Sequence, residues 1–260
     1  WNEFLLATAA AGETPVYADL LGDGNPVPLF ALNSRLTWFR TGQDKLAPWE
    51  AFPISQPLEA FAVFGHGLGV GDVNADGRAD VLSITGIWQG PVDPTRPDWD
   101  FLPVNLGPDC ANMLVYDVDG DGDNDIITSS AHNYGLWWFE QRHKDGLTTF
   151  EQHPIHNAIS QTHALILADI NNDGLQDLVT GKRYYAHNGH DPGAEEPAIL
   201  CWFELQRTTP GQVNYQFHQI DANSGVGTQF EVCDVDNDGL LDVVTANKKG
   251  VHLFVQRRNQ

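Results

Sequence analysis

Basic residues are scarce in this chain: 14 lysines and arginines stand against 35 aspartates and glutamates, for a formal charge of −21. A surface this acidic repels phosphate backbones and anionic headgroups, which argues against nucleic acid and membrane surfaces as partners. No apolar run is long enough to span a bilayer, so no membrane insertion is expected. No secretory leader is visible, and a chain that opens on Trp1 reads as a mature product or an excised segment. Cysteine is sparse too, and three cannot all pair within one chain. Cys110 and Cys233 precede aspartate-rich loops and read as small core residues. GxSxG, CxxC, HExxH and phosphate-loop motifs are missing, so the familiar nucleophile and nucleotide signatures are excluded.

Aspartate, by contrast, recurs in a fixed frame. Residues 117–125, DVDGDGDND, place carboxylates at positions 1, 3, 5 and 9 of a nine-residue loop with glycine at position 6. Hard cations such as Ca²⁺ take six to eight oxygens. Alternate side chains of a tight turn supply them, position 7 adds a carbonyl, and glycine permits the turn. An EF-hand would need a glutamate at position 12 and flanking helices. Position 12 here is Thr128, and the flanks MLVYDV and DIITSS are β-branched, apolar runs of strand type. The loop therefore joins two strands.

The frame returns three times. The expected ligands are Asp72, Asn74, Asp76, the Arg78 carbonyl and Asp80; Asp117, Asp119, Asp121, Asp123 and Asp125; Asp169, Asn171, Asp173, the Leu175 carbonyl and Asp177; and Asp234, Asp236, Asp238, the Leu240 carbonyl and Asp242. A vestigial copy starts at Asp19, where Leu21 and Val27 replace the ligands at positions 3 and 9. Four bound Ca²⁺ would offset about 8 of the negative charges and couple metal to folding. Periods near ~50 residues with several short strands each point to a propeller or a related repeat array. Each repeat adds an aromatic third strand (Leu36–Phe39, Leu136–Phe139, Leu200–Phe203, Val251–Phe254, with Trp88 as a short version) and a fourth strand around Phe52, Phe101, His153 and Phe217. The aromatics are expected to pack blade on blade, and His153 and His218 to be structural.

With four such loops between strands, the chain resembles the FG-GAP or VCBS-type repeats of integrin-like and bacterial extracellular β-propellers. The resemblance implies an all-β fold over residues 1–260 as a single domain: a β-propeller of four-stranded blades, five of them recognisable, bound calcium, and an extracellular or periplasmic location. Trp1–Leu6 is expected as a fourth strand that either completes a composite blade with the C-terminal repeat in a closed five-bladed ring, or belongs to a larger propeller.

Because each loop joins strands 1 and 2, the start of strand 1 and the end of strand 2 meet at the other end of the sheet. His66, His132 and His163 fall there, with Tyr134, Lys182, Arg183, His187 and Thr228. Imidazoles from different repeats, with an acid such as Asp109 or Glu231, suit a transition metal such as Zn²⁺ or general acid–base work; a hydrated channel with structurally bonded histidines is the other reading. The insertions at 183–199 and 89–98 are further places for function. The segment THALILADINNDGLQDLVTG and the following ILCWFEL also resemble the propeller part of aldos-2-ulose dehydratase and planctomycete-type VCBS proteins. That likeness implies metal-assisted water elimination from keto-sugars, with His163 at a corresponding histidine. The alternative is a non-catalytic propeller that binds carbohydrate or a protein partner.

Overall fold

The computed structural model describes residues 1–260 except 62–64, 108, 109, 111, 210, 259 and 260, and the side chain of Ala60. The chain divides into two compact units, Trp1–Gly107 and Pro108–Gln260. Both are built from antiparallel strands paired in chain order, and the helical turns among the described residues are two short 3₁₀ segments, Glu59–Phe61 and Ala186–Gly189.

In the first unit β1 (Ala10–Ala18), β2 (Val27–Leu32), β3 (Arg35–Arg40) and β4 (Glu50–Pro53) pair in that order. They are followed by β5 (Leu68–Gly71), β6 (Asp80–Ser83), β7 (Gly86–Gln89) and β8 (Asp100–Pro103), paired likewise. The second unit holds β9 (Asn112–Tyr116), β10 (Asp125–Ser129), β11 (Tyr134–Lys144) and β12 (Leu147–Ser160). Next come β13 (Leu165–Ala168), β14 (Asp177–Gly181), β15 (Leu200–Thr209) and β16 (Gln212–Asp221), then β17 (Phe230–Cys233), β18 (Asp242–Asn247) and β19 (Gly250–Phe254). Every aspartate-rich loop joins the first and second strand of its set, as its flanking residues require.

Side-chain pattern sorts the strands by depth. The second strands DVLS, DIITS and DLVTG are buried along their whole length, because each face carries a branched apolar residue and neither is left for water. The fourth strands alternate exposed and half-buried positions, the period of a sheet with one wet face. Sheets stack through apolar residues: Trp38, Val81, Trp88 and Trp99 share one core in the first unit. In the second, Ile127, Trp138, Leu178 and Phe203 share another, and Val179, Leu200, Phe230 and Val243 a third.

The third-strand tryptophans also pack on their cross-strand partners, three of them stacked and Trp88 tilted. Trp38 lies on Phe52 at 4.3 Å, Trp88 on Phe101 at 4.5 Å, Trp138 on His153 at 4.6 Å and Trp202 on His218 at 4.3 Å. Each pair is directly opposed in register. His153 and His218 each close a 2.8 Å contact from Nε2 to Glu140 and Glu204 respectively, so both histidines serve the sheet.

Two expectations fail. Trp1–Leu6 forms no strand; Trp1, Phe4 and Leu5 are exposed, and a hydrogen bond from the Trp49 amide to the Leu6 carbonyl (3.2 Å) ties down the segment's end. Cys233 is exposed, since the alternation of β17 turns Phe230 inward and Glu231 and Cys233 outward. Cys110 and Cys201 are buried.

Candidate functional site

The loops are held by their first and ninth residues. Asp72 accepts the amides of Asp76 (3.1 Å) and Gly77 (2.9 Å); Asp169 accepts those of Asp173 and Gly174, and Asp234 those of Asp238 and Gly239. The vestigial loop makes the same bonds, from Asp23 and Gly24 to Asp19. The first aspartate thus plays the same turn-holding part with or without ligands at positions 3 and 9.

The ninth aspartate is a buried strut. Asp80, Asp125, Asp177 and Asp242 each accept the amide of loop position 2 on one oxygen, at 2.9–3.0 Å. The other oxygen accepts an amide from the third strand or just beyond it: Gly90, Gln141, Leu205 and Gln256, at 2.8–2.9 Å. Burial pushes the carboxyl of Asp125 up to about 7 and that of Asp177 up to about 6, and raises Asp80 as well, against the opposing pull of those amides. Val27 holds this position in the first loop and joins the apolar core instead.

An all-oxygen donor set suits a hard cation. In the third loop the carboxylates of Asp117, Asp119 and Asp125 lie within 4.8 Å of one another, and Glu140 joins Asp119 and Asp121 in a second such group. Burial raises the Glu140 carboxyl, and the hydrogen bond with Asp119 raises it further. Arginine competes at two other loops: Arg78 pairs with Asp76, and Arg257 reaches Asp236 at 2.9 Å and Asp238 at 3.3 Å.

At the other end of the second unit's sheets, strand ends interlock. The Ser129 hydroxyl donates to the Thr162 carbonyl, the Gln161 amide to the Asn133 carbonyl (2.9 Å), the Arg183 amide to the Gln161 carbonyl (3.1 Å), and the Val226 amide to the Lys182 carbonyl (3.1 Å). The insertion 183–199 folds over this end. His187 Nδ1 lies 2.9 and 3.1 Å from the two carboxylate oxygens of Asp191, and His132 Nδ1 lies 3.4 Å from one of them. The two imidazoles stack at 4.7 Å. Burial pushes the Asp191 carboxyl up, but the hydrogen bonds and charges of His187 and His132 outweigh it and hold the group below the usual carboxylate range.

Beside this trio the Tyr134 hydroxyl donates to Glu196 Oε1 at 2.6 Å, which raises the phenol's pKa. Gly193 runs so close that a Cβ there would lie 2.5 Å from Ser160 Oγ, 2.6 Å from the Tyr134 hydroxyl and 2.7 Å from Glu196 Oε2. Buried Lys182 gives two of its three ammonium protons to backbone, at Ala194 O (3.2 Å) and Glu196 O (2.9 Å). Burial lowers its pKa, with Glu196 and Glu195 opposing. Lys182 thus braces the insertion.

Of the residues expected here, His132, Tyr134, Lys182 and His187 come together. Arg183 and His163 are buried in the interlocked strand ends. His66 belongs to the first unit, with Nε2 3.2 Å from Glu13 Oε2. Asp109 lies outside the described residues. The sequence reading missed Asp191 and Glu196, although both stand in the insertion it singled out and Asp191 follows His187 by four residues.

Set against known proteins, the loops and strands identify part of the chain. Residues 117–180 match the FG-GAP-like repeat. That segment runs from the most acidic loop to the fourth residue of β14. No curated protein sequence matches the chain. Among solved structures, an Agrocybe aegerita lectin described for its recognition of non-reducing terminal N-acetylglucosamine is 16% identical with a TM-score of 0.52, covering 92% of this chain and 62% of the lectin. The chain thus spans about three fifths of that lectin's length. A rhamnogalacturonan lyase is 14% identical over 94% of this chain and 45% of its own, at a TM-score of 0.42. The Photorhabdus luminescens Tc holotoxin pore is 17% identical over 96% and 12%, at 0.44. The lectin likeness carries the all-β fold alone. No helix among the described residues is long and apolar enough to cross a membrane.

Proposed function

We propose that this chain is an exported, calcium-stapled β-propeller that binds one carbohydrate-derived ligand at the polar end of its second unit. The observation that carries this reading is the asymmetry of that end. One repeat alone carries the insertion 183–199, and it supplies His187, Asp191 and Glu196 to meet His132 and Tyr134 from the neighbouring repeat. A lectin with one site per repeat would show equivalent residues at equivalent positions. Exposed Tyr184 and Tyr185 on the same insertion offer ring faces of the kind sugars stack on, and Lys249 and Lys248 lie over them at 4.8 and 5.5 Å. The fold-level likeness to a lectin supports the same ligand class. Repeats of FG-GAP type and oxygen-rich loops support calcium, which would staple strand pairs and take no part in ligand chemistry.

A glycan array followed by calorimetry tests the reading. Expected is one site per chain, weakened by Tyr134→Phe. Several equivalent sites indifferent to that change, or no sugar bound at all, would end it.

The Tyr134–Glu196 pair favours a second reading, a carbon–oxygen lyase acting on keto-sugars. A phenol held by a carboxylate can protonate a departing hydroxyl while a neighbouring imidazole takes the α-proton. Incubation with anhydrofructose, followed by ultraviolet detection of the unsaturated ketone, tests it; no product above the protein-free rate would dismiss it.

A further inference from the structure

We propose that His132, His187 and Asp191 form a binding site for one divalent transition ion of the zinc class. The site lies in the mouth described above and rests on that reading for its purpose, though not for its chemistry. Two imidazoles and a carboxylate suit zinc, which takes three protein ligands and keeps a fourth position open when it works on a substrate. The ligand spacing agrees. Zinc bonds of roughly 2.0–2.2 Å set neighbouring donors about 3.0–3.5 Å apart in tetrahedral or octahedral geometry, and the nitrogen–oxygen separations are 2.9, 3.1 and 3.4 Å. One donor atom from each of the three residues lies within 4.8 Å of the others. An ion bound there would displace Nδ1 protons from the carboxylate without moving the backbone far.

The supporting shell is already built. Asp191 is fixed by turns in which its carbonyl accepts the Ala194 amide (3.1 Å) and the Gly193 carbonyl accepts that of Glu196 (3.0 Å). Buried Gln161 donates from Nε2 to the Pro192 carbonyl at 3.0 Å. Its Oε1 has no partner among the described residues, which leaves a buried acceptor beside the insertion. His187 and Asn188 are held in left-handed conformations, φ 45° and 57°, an unfavourable shape that the surrounding contacts must maintain. The trio differs from the set expected from sequence, His66, His132 and His163, because His187 and Asp191 arrive on the insertion and not at a strand end.

The test uses the whole chain in millimolar Ca²⁺, which keeps the aspartate loops supplied, and titrates Zn²⁺ against a chromophoric chelator and Co²⁺ by its visible absorption. Expected is one tight Zn²⁺ per chain and a Co²⁺ spectrum with nitrogen ligands. His187→Ala and Asp191→Ala should each weaken Zn²⁺ by ~100-fold or more, and His190→Ala, an exposed neighbour, should not. His187 is half exposed and lies on the insertion outside the strand core, so its removal should leave folding intact. Absence of tight Zn²⁺, or tight binding that survives both substitutions, would overturn the proposal. Sugar binding is scored separately: Zn²⁺ lost with sugar retained in His187→Ala would leave the carbohydrate reading standing, and tight Zn²⁺ without any sugar would leave this one standing.

Discussion

Replacing Asp177 by alanine separates the strut that this aspartate forms from the calcium ligand that it is proposed to be. Its carboxylate accepts the Ile170 amide at 3.0 Å and the Leu205 amide at 2.9 Å, both buried. Alanine leaves two amides without partners, at roughly 1–3 kcal/mol each. The expected loss is about 4 kcal/mol, and at roughly 2–4 °C per kcal/mol for a chain of this size Tm falls by about 8–16 °C. Asn keeps one acceptor oxygen and turns an amide NH₂ toward the other N–H, so Asp177→Asn should lose about half as much. Thermal and urea melts at pH 7.5, where the carboxylate is mostly ionised, supply the numbers, each run in excess chelator and in millimolar Ca²⁺. A strut predicts that most of the loss persists in chelator. Were the alanine variant and its parent to melt together once metal is removed, the carboxylate would act only as a ligand and the strut argument would fail.

Chelator alone should lower the Tm of the parent and Ca²⁺ should restore it, whereas the vestigial loop predicts that Asp19→Asn changes this calcium response little; identical melts with and without chelator would remove calcium from the account. His156 packs against Phe203 and Phe217 at 5.2 and 5.6 Å, and burial lowers its pKa below the usual 6.5. The unfolded chain therefore takes the proton first, and stability contributed by the neutral ring falls as pH drops below about 6.5. His156→Phe should flatten urea midpoints measured from pH 7.5 to 5, and equal slopes would contradict this. Gly193→Ala, at φ +72° and with Cβ pressed on Ser160, Tyr134 and Glu196, should break the Tyr134–Glu196 bond. Ligand binding should then fall at least ~10-fold for about 1–2 kcal/mol of stability; full binding would show that this pair does not touch the ligand.

The third-strand aromatics show how legible the fold was. Their spacing marks the strands, since a period of two and a loop of fixed length leave few registers, and Trp38, Trp88, Trp138 and Trp202 all fall opposite an aromatic or histidine ring. The strut role of the ninth aspartate was not legible, because a ligand and a strut need the same residue type. Lys182 and His187 were both read as ligand-facing. Only the packed structure separates them, by burying the Lys182 ammonium against two carbonyls and leaving the His187 ring half open.

Sequence by itself determined the all-β character, the loop positions and the end of the sheets where polar residues collect. Those properties follow from local periodicity and turn chemistry. Which histidine meets which carboxylate was decided by the path of seventeen irregular residues, 183–199, where no period constrains the backbone and long-range contacts with Gln161 and Tyr134 choose the shape.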